Sequence, residues 1–262
     1  TAITLPPNTF VTSPAYNVNS SGTHFAFPTP TSVVFGSTFR TANSAFMAVD
    51  IGAFAGAYRG IASDAPIMTV LGFIPGNATN AYMWNYETDA ILPYQMPAGA
   101  SSISPGNVGG AISGDGRLAG GTATIGLPTL PYWWDNGVPH AVQLLPGSVV
   151  GSVLAMNYTG TLAGGQMTFT GGLGNRAFLT ELDTGIVYNL HDMYTAAGLL
   201  PTGWILRSTQ HISDDGSRIF CLATAPDGTQ RMIELEGNFV PAPGPVALLA
   251  VGGLVAMRRR RD

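Results

Sequence analysis

Four stretches of this chain fall into register when each is set on one glycine: "MAVDIGAFAGA" on Gly52, "AISGDGRLAGG" on Gly116, "AMNYTGTLAGG" on Gly160 and "HISDDGSRIFC" on Gly216. In each, an apolar strand end leads into a polar turn, and a second strand of small or apolar residues leaves it. Glycine supplies the positive φ that a tight turn needs, so Asp-Gly and Thr-Gly between apolar residues predict hairpins. "VNSSGTHFAF" around Gly22 is a weaker fifth copy. A repeat of this kind restricts the chain more than any single residue does, because one hairpin cannot bury its own apolar face.

Downstream of each marker comes a second element: "NAYMWNYETDAIL", "PYWWDNGVPHAVQL", "NRAFLTELDTGIVYNL" and "QRMIELEGNFV". Here an aromatic or apolar strand precedes a short polar turn, and another strand follows. One unit thus holds two hairpins, four strands in roughly 45 residues, the size of a β-propeller blade. The expected fold is all-β: a repeat domain over 46–238, β-propeller-like, with a β-sandwich or an irregular β-solenoid as alternatives. Residues 1–45 are expected to add strands to it. "NLHDMYTAAGLL" (189–200) is the one helix expected in the body, ending before Pro201.

Charge narrows the functions. Lysine is absent, and residues 1–238 carry seven arginines against fourteen acids, a net charge of −7. Such a body has no basic patch for phosphates, which excludes binding of nucleic acid by counterion release. With 10% charged residues, its polar surface must come from Asn, Thr, Ser, Gly and Gln. The single cysteine, Cys221, lies in "RIFCLAT" and reads as a buried strand residue; it excludes an internal disulfide and a cysteine-based zinc site.

No catalytic constellation stands out. His191 and Asp192 are adjacent, and strand neighbours point to opposite faces, so they form no relay pair. His211 reads as a half-buried strand residue. Asp214-Asp215-Gly216 reads as a hairpin turn, lacking the alternating oxygen ligands of a calcium loop. Glu181 and Asp183, two apart on an expected strand, are the best carboxylate pair for glycoside hydrolysis, and the adjoining Asp-Thr-Gly turn explains them equally well. No metal site and no cofactor motif is expected. Trp84, Trp133 and Trp134 are candidates for stacking on sugar rings, although core packing is the stronger expectation for most of the aromatics, Tyr132 and Trp204 included.

The chain closes on "VPAPGPVALLAVGGLVAMRRRRD". As a helix, the apolar run Val246–Met257 would reach about 18 Å, short of a hydrocarbon core of about 30 Å. Counted from Phe239, the uncharged stretch has 19 residues. That is enough to span if Arg258, Arg259, Arg260 and Arg261 snorkel and hold this end on the cytoplasmic side. A short C-terminal transmembrane helix is therefore expected within 239–262.

The order of these features (Pro-rich motif, short apolar run, arginine cluster, chain end) resembles the PEP-CTERM sorting signal read by an exosortase. Val240, Pro241, Ala242 and Pro243 stand at its motif, with Ala242 where glutamate is usual. The resemblance implies an exosortase-like processing enzyme as partner, transient residence in the inner membrane, and delivery to the cell surface or extracellular matrix. The turns followed by "NRAFL" or "AYMW" resemble extracellular HAF-type repeats, over about residues 45–237. Together these imply a non-enzymatic exported protein, with extracellular polysaccharide or a surface partner as its ligand. The alternative is an extracellular carbohydrate-active hydrolase or lyase.

Overall fold

The computed structural model describes residues 17–18, 25–26, 35–40, 45–50, 55–73, 81–85, 87–88, 90–106 and 111–237. Strand is the dominant element. β1 (Asn17–Val18) pairs with β2 (Phe25–Ala26), and β3 (Phe35–Arg40) with β4 (Ala45–Asp50). Four larger sheets follow. The first is β5 (Ala55–Ile61), β6 (Ile67–Phe73), β7 (Ala81–Asn85) and β8 (Ala90–Pro93). The second is β9 (Ala100–Pro105), β10 (Leu118–Ile125), β11 (Thr129–Asp135) and β12 (Val138–Ala141). The third is β13 (Ser148–Met156), β14 (Leu162–Phe169), β15 (Gly174–Glu181) and β16 (Val187–Asn189). The fourth is β17 (Ile205–Ile212), β18 (Arg218–Thr224) and β19 (Gln230–Glu236). Each is an antiparallel meander in which sequence neighbours are sheet neighbours.

The sheets stack in chain order. The first strand of each packs on the middle strands of the sheet before it: β9 on β6 and β7, β13 on β10 and β11, β17 on β14 and β15. Three apolar layers fill the gaps. Met83, Tyr94, Ile103 and Trp134 lie between the first and second sheets, and Leu118, Val153, Met167 and Phe178 between the second and third. Leu162, Leu179, Leu206, Ile212, Ile219 and Cys221 lie between the third and fourth. A fully buried side chain of this size contributes about 1.5–3 kcal/mol. Four sheets in succession set aside the two-sheet sandwich.

The marker turns share one construction. Gly116, Gly160 and Gly216 have φ of 74°, 67° and 71°. Their N–H groups donate to the carbonyls of Ser113, Asn157 and Ser213 at 3.0, 3.0 and 2.9 Å. Those three residues use their side chains to accept from the N–H of Leu118, Leu162 and Arg218. The glycine also lies against the preceding sheet: a Cβ on Gly116 would come within 2.5 Å of Ile67 Cβ, and one on Gly160 would strike Leu118. The turns are tied to one another as well, Asp64 N–H donating to Gly114 at 2.9 Å and Gly114 N–H to Tyr158 at 2.8 Å.

The repeat "LAGG" has a structural cause. Gly120 of β10 and Gly164 of β14 sit where the next sheet's first strand presses closest. A Cβ on Gly120 would strike Val153, and one on Gly164 would come within 2.7 Å of Thr209. The following glycines, Gly121 and Gly165, face backbone of the neighbouring strand in their own sheet.

Two expectations need correction. Gly52 itself lies outside the described residues, between β4 and β5, and the first four-stranded sheet makes its own turn at 62–66, where Ala62 N–H donates to Ile67 at 2.9 Å. That turn has Asp64-Ala65 in place of Asp-Gly. The strand before Gly116 is interrupted: β9 pairs with the far part of β10, and Ile112 makes an isolated bridge to Ala119.

The expected helix is α1 (Leu190–Ala196). Asn189 caps it by accepting from Asp192 N–H, Leu190 and Tyr194 form its buried face, and Gly198, at φ 69°, reverses the chain before Pro201. Among the described residues no helix is long and apolar enough to cross a membrane.

Candidate functional site

The sorting residues Val240, Pro241, Ala242 and Pro243, the run from Val246 to Met257 and Arg258–Arg261 all lie outside the described residues. What the structure describes is the body, and there the aromatic candidates separate. Trp134 is fully buried, edge-on to Tyr94 with ring centroids 5.8 Å apart, and its Nε1–H donates to the Gln95 carbonyl at 3.0 Å. Trp84 is 2% exposed in β7. Both rings are closed to a sugar by burial, that of Trp134 in the layer between the first and second sheets. Trp133 is half-buried near the β11–β12 edge, stacked on exposed His140 at 4.1 Å and 14°. Of the three, it alone keeps part of a ring at the surface.

The carboxylates are taken up by their own turns. Glu181 is buried at the end of β15 and accepts from Tyr188 Oη at 2.6 Å and Thr184 Oγ1 at 2.8 Å. Asp183 is exposed in the following turn. The two do not share a strand face, since the turn closed by Glu181 N–H on Ile186 begins between them. Burial, then the bond to Glu181, pushes the Tyr188 hydroxyl up to about 12.

Asp215 accepts from Ser213 Oγ, Ser217 Oγ and Ser217 N–H, at 2.7 to 3.0 Å. These bonds hold its pKa down at about 2. Asp115 accepts from Ser113 Oγ at 2.6 Å and from Arg117 N–H. Partial burial acts against these bonds and the Arg117 charge, and the net effect is a lowered pKa. Asp214 stays exposed beside its neighbour, so this turn does the work of a hairpin.

Cys221 is fully buried, and burial pushes its thiol up to about 12, as befits a core residue. His211 is exposed, not half-buried, and tilts against Phe220 with ring centroids 5.9 Å apart. His191 sits half-buried on α1, its Nδ1 buried without a hydrogen-bond partner among the described residues.

Sequence reasoning missed one cluster. Arg176 of β15 and Arg207 of β17, 31 residues apart, direct Nη1 at the same two carbonyls. Arg176 Nη1 donates to Leu173 and, at 3.0 Å, to Asn175; Arg207 Nη1 donates to both at 3.4 Å. Arg207 Nε also donates to Thr224 Oγ1 at 2.9 Å. Burial and the Arg207 charge lower the Arg176 pKa, while burial and the charges of Arg176 and Arg207 outweigh Asp192 and lower that of His191. The cluster lies at the end of the stack away from the marker turns, where the β14–β15 hairpin and α1 meet.

No known family profile matches the sequence, and no curated protein matches it. Among solved structures, the fold is similar to TolB from Acinetobacter baumannii, with a TM-score of 0.49 at 15% identity over 84% of this chain and 53% of that one. It is similar to a putative TolB from Agrobacterium tumefaciens, with a TM-score of 0.48 at 10% identity over 73% and 62% of the two chains. It is also similar to Kuenenia stuttgartiensis hydrazine synthase, with a TM-score of 0.46 at 12% identity over 83% and 70%. The chain spans about half to three-fifths of the two TolB structures' lengths.

Proposed function

We propose that this chain is an exported, non-enzymatic protein of the cell surface or extracellular matrix. Its body is a β-propeller-like stack that binds extracellular polysaccharide, and an exosortase-like enzyme processes its C-terminal signal. The tail carries the reading: a Val-Pro-Ala-Pro motif, an apolar run too short for an ordinary anchor, and four arginines. In the body, the regular placing of each first strand on the preceding sheet's middle strands supports a propeller-like arrangement of blades. The use of Glu181, Asp115 and Asp215 within their own turns favours binding over hydrolysis.

Intact-mass analysis of the protein recovered from the producing cells tests this reading. The expected mass ends near Val240, and replacing Arg258–Arg261 by neutral residues should leave the tail uncleaved. A chain ending at Asn238 should keep its melting temperature. Recovery of the protein with its tail intact, with or without the arginines, would refute the sorting signal. Sugar cleavage by the wild type that a folded Glu181→Ala/Asp183→Ala variant lacks would support the enzyme.

A further inference from the structure

The stacking of the third and fourth sheets leaves two positive charges side by side with no acid between them. Arg117 pairs with Asp135 at 2.6 Å, Arg218 with Glu234 at 3.5 Å and Arg231 with Asp227 at 3.5 Å. Arg176 and Arg207 make no ion pair with a carboxylate among the described residues, in a body where acids outnumber arginines two to one. Two carbonyl dipoles hold both Nη1 groups in place but cannot neutralise two full charges. Each guanidinium has five N–H donors, and the Nη2 groups of both make no hydrogen bond among the described residues. Asp192 is the acid nearby; Asn189 holds its carboxylate at 2.7 Å, and it bonds neither arginine. His191, whose buried Nδ1 makes no hydrogen bond among the described residues, lies within reach of the charges of both arginines.

We propose that Arg176 and Arg207, with His191 beside them, bind one carboxylate or sulfate group of an acidic polysaccharide. The chemistry fits: a planar or tetrahedral oxyanion takes parallel N–H···O bonds from a guanidinium fork. Leu173, 55% exposed on the adjoining hairpin, gives the sugar ring an apolar contact. Gly171 and Gly172, with open space where side chains would project, keep the approach flat. This inference rests on the polysaccharide-binding reading and assigns it a place and a charge preference.

The test measures binding of the full chain to polygalacturonate, dextran sulfate and neutral dextran, with sodium sulfate as the free-anion control. The expected result is binding to one or both acidic polymers that weakens with added salt. Arg176→Gln or Arg207→Gln should reduce it by about tenfold, and Arg176→Lys by less, because it keeps the charge without the fork. Arg117→Gln, beside the marker turn at the other end of the stack, should leave it unchanged.

Equal binding by wild type and a folded R176Q/R207Q variant overturns the site and leaves the polysaccharide reading standing. Binding of neutral dextran alone does the same. If neither acidic polymer binds, while sodium sulfate raises the melting temperature of the wild type but not of R176Q/R207Q, the cluster takes free anions and the polysaccharide assignment falls. Should R176Q/R207Q fail to fold, the order wild type, Arg176→Lys, Arg176→Gln in affinity decides, and three equal affinities refute the proposal.

Discussion

Where the second and third sheets carry Gly120 and Gly164, the fourth carries Phe220. Aligned on their marker glycines, "LAGG" in β10 and β14 corresponds to "RIFC" in β18. In the first two cases the missing side chain lets the next sheet's first strand approach until Val153 or Thr209 occupies the Cβ position. In β18 the residues facing the third sheet, Ile219, Cys221 and Ala223, are buried, while Arg218, Phe220, Leu222 and Thr224 on the other face are exposed or half-buried. In the second and third sheets stacking is thus written as an absence of side chain. The fourth sheet lacks that absence.

The largest effect expected follows from that contrast. Gly164→Val forces two methyl groups into Thr209 and the Phe178 carbonyl, so the third and fourth sheets must separate. Overpacking of this kind costs about 3 kcal/mol in urea unfolding. Phe220→Ala removes a half-buried ring from the face turned away from the third sheet and should cost about 1 kcal/mol. Equal losses would mean that the face of β18 is as tightly covered as the gaps between sheets.

A smaller effect separates the two reasons for a marker glycine. Gly160 and Gly228 both have positive φ, 67° and 81°. A Cβ on Gly160 meets Leu118 of the preceding sheet, and one on Gly228 meets nothing within 4 Å. Gly228→Ala should therefore cost about 1 kcal/mol from backbone strain alone. Gly160→Ala should cost about 2–3 kcal/mol, the excess measuring the contact between sheets. Losses of the same size would reduce the marker to a local turn device.

Much of this was legible in the sequence, and the physics says which part. A turn needs positive φ and side chains that accept its own N–H groups, so Ser113-Gly114-Asp115-Gly116 and Ser213-Asp214-Asp215-Gly216 announce themselves locally. The turn of the first sheet does not, because Ala65 stands where the other turns carry glycine and the alignment slips to Gly52. Burial of Trp134 against the partial exposure of Trp133 depends on which strand face meets the preceding sheet, and an aromatic run conceals that. The pairing of Glu181 with Asp183 fails because the strand ends between them. Arg176 and Arg207 give no signal at all, since only the stacking of two sheets brings them together.

The smallest effect concerns the two Asp-Gly marker turns. Asp215 is fully exposed, and hydrogen bonds from Ser213 and Ser217 hold its pKa at about 2, below its ordinary value of about 3.8. A carboxylate depressed on folding stabilises the native state above the unfolded pKa, and the stabilisation disappears as protons bind. For this turn it is complete above about pH 4 and lost as the pH falls toward 2. Asp215→Asn should flatten the acid limb of the unfolding midpoint plotted against pH, and Ser213→Ala should flatten it in part. Asp115, partly buried against Ser113 and Arg117, is shifted in the same direction by opposing effects, and Asp115→Asn tests whether the two turns are equivalent. If both limbs flatten equally, the loop's own bonds set the acid response. If only Asp115→Asn changes it, the packing of its turn against Ile67 and Tyr158 matters more than those bonds.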